Sequence, residues 1–422
     1  MGIPKHKKIT MESTRMREKR KPGERLAVLV MLFYFTAFLL LALRNSTWQG
    51  YALTFCVPAA IWGGTHILGK CFHIDTLLFS LTNFLCALGI LVLYGTNPNL
   101  AYHQAAYYGV GLVGMVICIY FMRVFRSLRH LRILMIIGSV AFLALPLLIG
   151  RETNGAKNWI YFQSVSIQPS EFVKISLILV VAWFMNRRQF LPWFLCAVGC
   201  LILLMLQKDL GTALLYYVVT LLLFFASTAN VPLTMLGILG GGGAAVLGYR
   251  MFAHVKKRVA LWRNPWSDYE NAGYQIVQGL MALASGSLLG VGLGLGSPTT
   301  IPVYETDYIF AVICEQFGLI FGVCVLLIYV AIIWRGTTIA MASRHGYQGL
   351  VSMGATMMIG LQTFVIIGGV IKLIPLTGVT MPFVSSGGSS LVSSMCLTGL
   401  IQGVASLNED DLEEDLKLTE AM

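Results

Sequence analysis

Pro302-Val303-Tyr304-Glu305-Thr306-Asp307-Tyr308-Ile309-Phe310 leads into an apolar run that reaches Trp334, interrupted chiefly by Glu315 and Gln316. A run of that length reads as a membrane-crossing helix, because about 20 apolar residues are needed to cross the hydrocarbon core. Asp307 stands at its mouth. A carboxylate in that position is unfavourable, by roughly 3 kcal/mol near the bilayer centre and less at the interface, and such groups are usually retained for chemistry or transport.

The rest of the chain agrees with a membrane setting. Of 422 residues, 57% are hydrophobic and 12% charged, and the mean hydropathy is +0.75. That balance excludes an ordinary soluble domain. Apolar runs fall near 27–43, 51–69, 76–94, 104–122, 133–149, 170–186, 191–206, 211–227, 232–250, 308–334, 347–371 and 385–405. The chain therefore reads as an all-α polytopic membrane protein of about twelve transmembrane helices. Residues 1–26 form a basic tail, 27–149 carry about five of these spans, and 406–422 form an acidic tail containing Glu409-Asp410-Asp411-Leu412-Glu413-Glu414-Asp415, expected to be solvated or a partner contact. The run after the basic tail reads as an uncleaved anchor. The basic tail serves topology and anionic lipid rather than nucleic acid. Cys56, Cys71, Cys86, Cys118, Cys196, Cys200, Cys314, Cys324 and Cys396 show no CxxC or metal-type spacing. Gly240-Gly241-Gly242-Gly243 reads as a helix-packing surface.

Basic residues cluster in the N-terminal tail, at Arg123, Arg126, Arg129 and Arg132, at Arg187 and Arg188, and at Arg335 and Arg344. With both termini cytoplasmic, all of these face the cytoplasm, as the positive-inside rule expects. The opposite side receives the loop 151–169, the break Gln207-Lys208-Asp209, a long loop over about 251–306 and the turn 372–384. Structureless loops longer than about 15 residues are uncommon unless functional. The Gly273–Gly296 half of the long loop is apolar and glycine-rich, and reads as a re-entrant or interfacial segment covering a cavity. Lys157, Lys208, Lys256, Lys257, Arg258, Arg263 and Lys372 run against the charge rule on this side, which suits a phosphate-bearing ligand or side chains that snorkel at the span ends.

Pro169 cannot continue a preceding helix and Ser170 can cap a new one. Glu171 then sits in the first turn, three residues before Lys174 on one face. The pair lines a cavity or stabilises a helix start. Asp209 caps a helix or forms part of a polar cavity wall. Asp307 and Glu315 are spaced to share a helix face. A base that takes a proton from a hydroxyl must hold a pKa near working pH, which partial burial gives a carboxylate. Asp307 fits best. Gly290-Val291-Gly292-Leu293-Gly294-Leu295-Gly296 has no βαβ context and is not a dinucleotide site.

Several strings together resemble the SEDS family of bacterial wall glycosyltransferases, the group of RodA, FtsW and SpoVE. They are Asn154-Gly155-Ala156-Lys157-Asn158-Trp159-Ile160, Gln168-Pro169-Ser170-Glu171, Asp209-Leu210-Gly211-Thr212-Ala213, Gly273-Tyr274-Gln275, Ser285-Gly286, Thr306-Asp307-Tyr308-Ile309-Phe310, and Pro375-Leu376-Thr377-Gly378 with Pro382-Phe383-Val384-Ser385-Ser386-Gly387-Gly388-Ser389-Ser390. They run in family order through a core over 150–405.

The resemblance implies polymerisation of lipid II into glycan strands at the outer face of the bacterial cytoplasmic membrane, with inversion at the sugar. The implied partners are a class B penicillin-binding protein, undecaprenyl-pyrophosphate-linked glycan and other divisome or elongasome membrane proteins, with no nucleic acid. Asp307 takes the place of the family's essential aspartate. Glu171 and Lys174 match its cavity Glu and Lys. Lys157, Trp159, Asp209, Gln275, Glu305, Lys372 and Ser389 complete the expected substrate-binding set. No cofactor is certain, and a divalent cation (Mg or Mn) is left open. Two spans more than usual precede the core, and Lys208, Ser287, Ser386, Glu305 and Lys372 depart from common family residues, as in longer actinobacterial-type relatives. The rival class is a transporter or flippase of lipid-linked precursors, which many spans and broken helices also suit. The absence of obvious internal repeats and the placement of most candidates on one side weigh against it.

Overall fold

The computed structural model describes residues 5–125, 131–153, 155–162, 165–271 and 273–421. Each expected span is a helix: α1 (Lys5–Asn45), α2 (Trp48–Phe72), α3 (Thr76–Thr96), α4 (Pro98–Val124), α5 (Arg132–Ile149), α6 (Pro169–Asn186), α7 (Phe190–Leu206), α8 (Leu210–Thr228), α9 (Val231–Met251), α12 (Ile309–Ala342), α13 (Gly346–Val370) and α14 (Gly388–Ala421). Among the described residues ten helices are long and apolar enough to cross a membrane, and the apolar parts of α5 and α7 are shorter. The chain is a multi-pass, mostly helical membrane protein.

The layout follows from which faces can be buried. In α14, 94% of the apolar window is buried, and in α3, 89%. α4 lies against α14 through small residues: a Cβ on Gly399 would meet the Met115 carbonyl at 2.6 Å, and one on Gly403 would meet Met122 Cβ at 2.7 Å. Close backbone approach of this kind replaces the hydrophobic drive that lipid removes. α1 and α2 form a hairpin along α3, with Tyr34 donating to the Phe84 carbonyl at 2.7 Å.

Three sequence expectations change. The loop 151–169 holds a small antiparallel sheet of order β1-β2-β3 (β1 Arg151–Thr153, β2 Ala156–Phe162, β3 Val165–Ile167). The acidic tail is not simply solvated: it extends α14, and Asp410 pairs with Arg123 at 2.8 Å while Asp415 pairs with Arg344. The glycine run of α9 is only partly a packing surface. Gly241 faces Tyr217, but among the described residues Gly242 and Gly243 have no neighbour within 4 Å, because α9 stands at the edge and is almost wholly exposed.

The long loop is largely ordered, containing α10 (Ala253–Arg263) and α11 (Tyr274–Gly286). After α11 the chain inserts into a break in α12 at Gly318, whose φ is +88°. Val291 and Gly292 donate to the Glu315 and Gln316 carbonyls, both at 2.9 Å, and Leu319 and Ile320 donate to the Ser287 and Leu288 carbonyls at 2.9 and 3.3 Å. These bonds satisfy the groups that the broken helix frees, as membrane depth requires.

A Cβ at Gly318 would lie 2.2 Å from the Leu288 carbonyl oxygen, and its φ is costly for other residues by about 1–3 kcal/mol. Gly318→Ala should therefore lower the thermal midpoint of the detergent-solubilised protein by several degrees, while Gly242→Ala leaves it unchanged. Equal midpoints for the two variants would refute this account of the break.

Candidate active site

Asp307 ends a backbone string held at several points. Its amide donates to the Val303 carbonyl at 3.3 Å, across a Val303 in the left-handed region. Gln275 Nε2 donates to the Pro302 carbonyl at 3.1 Å. The Ser386 amide donates to the Glu305 carbonyl at 2.8 Å, and Ser385 Oγ donates to the Thr306 carbonyl at 2.6 Å. The aspartate is thus pinned by α11 on one side and by the serine-glycine turn before α14 on the other.

Arg258, on α10, reaches the same place. Its Nη1 donates to the Thr377 carbonyl at 2.8 Å. A Cβ placed on Gly378 would lie 3.6 Å from Arg258 Nη2 and 3.8 Å from Asp307 Oδ2, so only a glycine-sized residue separates the two. Burial pushes the Asp307 carboxyl up to about 6; a hydrogen bond from Thr306 and the Arg258 charge oppose the rise, and Glu305 adds to it. The result is a carboxylate that is ionised at neutral pH and still basic enough to accept a proton.

A second polar cluster lies at the start of α6. Pro169 occupies the first turn, where it needs no amide donor, but the cap is Gln168, without a side-chain cap bond, rather than Ser170. Lys174, 3% exposed, meets Glu171 at 2.6 Å and Gln362 Oε1 at 3.1 Å. Ser393 Oγ donates to Glu171 at 2.7 Å. Gln362 Nε2 donates to the Thr380 carbonyl at 2.9 Å, and Thr380 shares a hydroxyl bond with Ser390. The buried pair is therefore embedded in further hydrogen bonds, which a pair removed from water requires.

Gln168 joins three helix beginnings. Its amide donates to Ser389 Oγ, at the start of α14, at 3.3 Å. Its Nε2 donates to Asp209 Oδ2, at the start of α8, at 3.1 Å, and it precedes α6 itself. Helix N-termini present amide donors and a partial positive charge, and carboxylates already meet two of these three, Asp209 capping α8 and Glu171 in the first turn of α6.

The other expected residues have distinct places. Asp209 caps α8 through the Thr212 amide at 3.1 Å and takes Asn158 Nδ2 at 2.9 Å, so it ties the small sheet to the helix ends. Ser389 holds the β3–α6 junction. Lys157 lies on β2 and spends its ammonium on the Leu147 carbonyl at 2.8 Å. Trp159, on the same strand, is half-buried opposite Arg151. Gln275 and Glu305 are at the Asp307 string. Lys372 has positive φ and its carbonyl takes Trp262 Nε1 at 3.0 Å. Glu315 leaves the expected shared face with Asp307; it is buried and accepts the Ser297 amide at 3.1 Å. Lys208 pairs with Glu152 at 3.6 Å. Among the described residues no group of three or more His, Cys, Asp or Glu side chains could hold a metal ion.

Sequence reasoning did not single out Arg258, one of several loop cations, or Gln362, Thr380 and Ser393. Gln362 carried a usable signal, an amide deep in an apolar span. Arg258 carried none beyond its charge, since Lys256 and Lys257 adjoin it.

The family model described as cell cycle protein, covering FtsW, RodA and SpoVE, matches residues 72–410. A peptidoglycan glycosyltransferase RodA of Mycobacterium leprae is 30% identical, over 86% of this chain and 84% of its own. Stage V sporulation protein E of Bacillus subtilis is 32% identical over 78% of this chain and 96% of its own. Among solved structures, a chain of a peptidoglycan synthase complex superposes with TM-score 0.67 at 26% identity, covering 80% of this chain and 98% of that one. The rod shape determining protein RodA of Thermus thermophilus gives TM-score 0.60 at 26% identity, covering 80% and 98%. The chain belongs to the FtsW/RodA/SpoVE family.

Proposed function

We propose that this protein is a peptidoglycan glycosyltransferase that polymerises lipid II, with Asp307 as its base. The observation that carries the reading is the half-buried Asp307 carboxyl, held near pKa 6 beside Arg258 across Gly378. The relatives' names as peptidoglycan glycosyltransferases support the activity. The chemistry is a single displacement. The acceptor sugar hydroxyl loses its proton to Asp307 as its oxygen attacks the anomeric carbon of an α-linked lipid-pyrophosphate donor. The bond from that carbon to the pyrophosphate oxygen breaks, and the new linkage is β. The pyrophosphate leaves as an anion, so it needs neutralising charge rather than a strong acid. Arg258, the cation across Gly378 from Asp307, supplies it, while the Lys174 charge is held by Glu171.

The site faces outward from the cytoplasm of a bacterial cytoplasmic membrane. Supporting this, the charge rule sends Arg123, Arg335 and Arg344 inward, at the helix ends opposite Asp307. Residues 150–405 form the catalytic core. α1 and most of α2 precede the family match and are additions to it. The protein works with a class B penicillin-binding protein, a reading supported by its likeness to a chain of a peptidoglycan synthase complex. Other divisome or elongasome proteins join the same assembly. Glu171, Gln275, Glu305 and Ser389 shape the substrate cavity, with Asp209 holding its wall. Lys157, Trp159 and Lys372 lie at its margin.

Purified protein given labelled lipid II, with and without a class B partner, should yield glycan ladders. Asp307→Asn, folded and purified alongside, should lose at least about a hundredfold in rate, the usual scale for a positioned base. Wild-type rates in that variant, or the absence of ladders from wild type with partner present, would overturn the reading.

The buried pair separates folding from binding. Lys174→Met leaves Glu171 uncompensated and should cost about 3–5 kcal/mol of stability. Glu171→Gln combined with Lys174→Met should recover the thermal midpoint but not polymerisation. Recovery of both would show that the pair serves the fold alone.

A further inference from the structure

The hairpin α1–α2 lies outside the family match apart from Phe72, yet it reaches the loop that delivers Asp307. Tyr34 anchors it to the α3 backbone. At the far end of the hairpin, Thr47 Oγ1 meets the hydroxyls of Tyr94 and Tyr102 at 3.2 and 3.4 Å. Gly50 approaches Tyr94 so closely that a Cβ there would lie 2.0 Å from its hydroxyl. The turn between α1 and α2 is therefore fixed against α3 and α4.

From this fixed end Arg44 projects onto the glycine loop. Its Nη1 donates to the Gly294 carbonyl at 3.1 Å. The opposite edge of the same residue is also held, because the Gly294 amide donates to Gln316 Oε1 at 3.2 Å. Leu41 and Gly95 close the remaining side: a Cβ on Gly294 would sit 3.3 Å from Leu41 Cδ2, and one on Gly95 would sit 3.1 Å from Gly294 Cα. Gly294 has φ +69°, in a stretch where alternate glycines would otherwise leave the backbone free. Three residues on, the Ser297 amide is taken by Glu315, and from there the chain runs to the Gln275 and Ser386 contacts that set Asp307.

We propose that Arg44 is a positioning residue for the transferase reaction, and that the added N-terminal hairpin is a brace which fixes the glycine loop and, through it, the placement of Asp307. This rests on the glycosyltransferase reading above. Arg44 touches no reacting atom; it limits where the loop can go. Misplacement of a catalytic group by about 1 Å can cost up to a hundredfold, and a charge-assisted bond to one carbonyl controls part of that freedom.

The test uses the full-length protein with its class B partner and labelled lipid II. Arg44 is exposed, so Arg44→Ala should fold and keep the wild-type thermal midpoint. Its kcat should fall three- to tenfold with KM for lipid II within twofold, and hydrogen exchange should rise in the peptide over residues 290–300. Arg44→Lys, which can still donate to the carbonyl, should restore at least half of the lost kcat and the exchange protection. Unchanged exchange over 290–300 in Arg44→Ala would overturn the brace whatever the activity. Raised exchange with wild-type kcat would overturn its catalytic role. A fall confined to KM would assign Arg44 to substrate binding instead. Failure of wild type to polymerise would count against the glycosyltransferase reading and leave the exchange result to decide the brace.

Discussion

Backbone that leaves a helix at membrane depth must find its hydrogen bonds within the protein. The architecture around the site follows from that requirement. Two largely irregular stretches, 287–308 and 371–387, join the helices here, α11 to α12 and α13 to α14. The first fills the break in α12 at Gly318 with its own amides and carbonyls. It then meets the second, where the Ser385 hydroxyl and the Ser386 amide donate to the Thr306 and Glu305 carbonyls. Asp307 sits where the two stretches join. The position of the carboxylate is therefore fixed by backbone bonding more than by contacts of its own side chain.

Around this joint the charges are arranged in two groups with different solvation. Lys174 and Glu171 are enclosed and tied to Gln362 and Ser393. Asp307 and Arg258 remain partly open, separated by Gly378. The segment 377–390 links them, since Thr377 and Gly378 face Arg258 while Thr380 and Ser390 face the lysine group. The helix starts joined by Gln168 are met by the Asp209 and Glu171 carboxylates. Asp307 stays basic in this field because burial outweighs the stabilising charge of Arg258.

Much of this was legible in the sequence because membrane helices write themselves as apolar length. All the spans appeared as helices, including the short pair around Asp209. Asp307, Glu171 and Lys174 stood out because a charge beside an apolar run is costly. What escaped has physical causes. The small sheet in 151–169 is short and polar, without a clear alternating pattern. The acidic tail found arginines distant in sequence, and no local rule reports such pairing. The glycine loop looked like a cover over a cavity, whereas its amides close a break in α12 that Gly318 does not announce by itself. Arg258 was hidden among neighbouring cations, and only the fold brings it to Asp307.

The most direct measurement of the central claim is the pH dependence of kcat/KM for lipid II, in wild type and in Arg258→Gln. Protonated Asp307 cannot accept the hydroxyl proton, so the rate should fall tenfold per pH unit below a bend near 6. Arg258 holds that bend down, so its removal should move the bend to higher pH while the protein stays folded. A wild-type profile flat from pH 5 to 8, or a bend unmoved in Arg258→Gln, would contradict the assignment of Asp307 as the base beside Arg258.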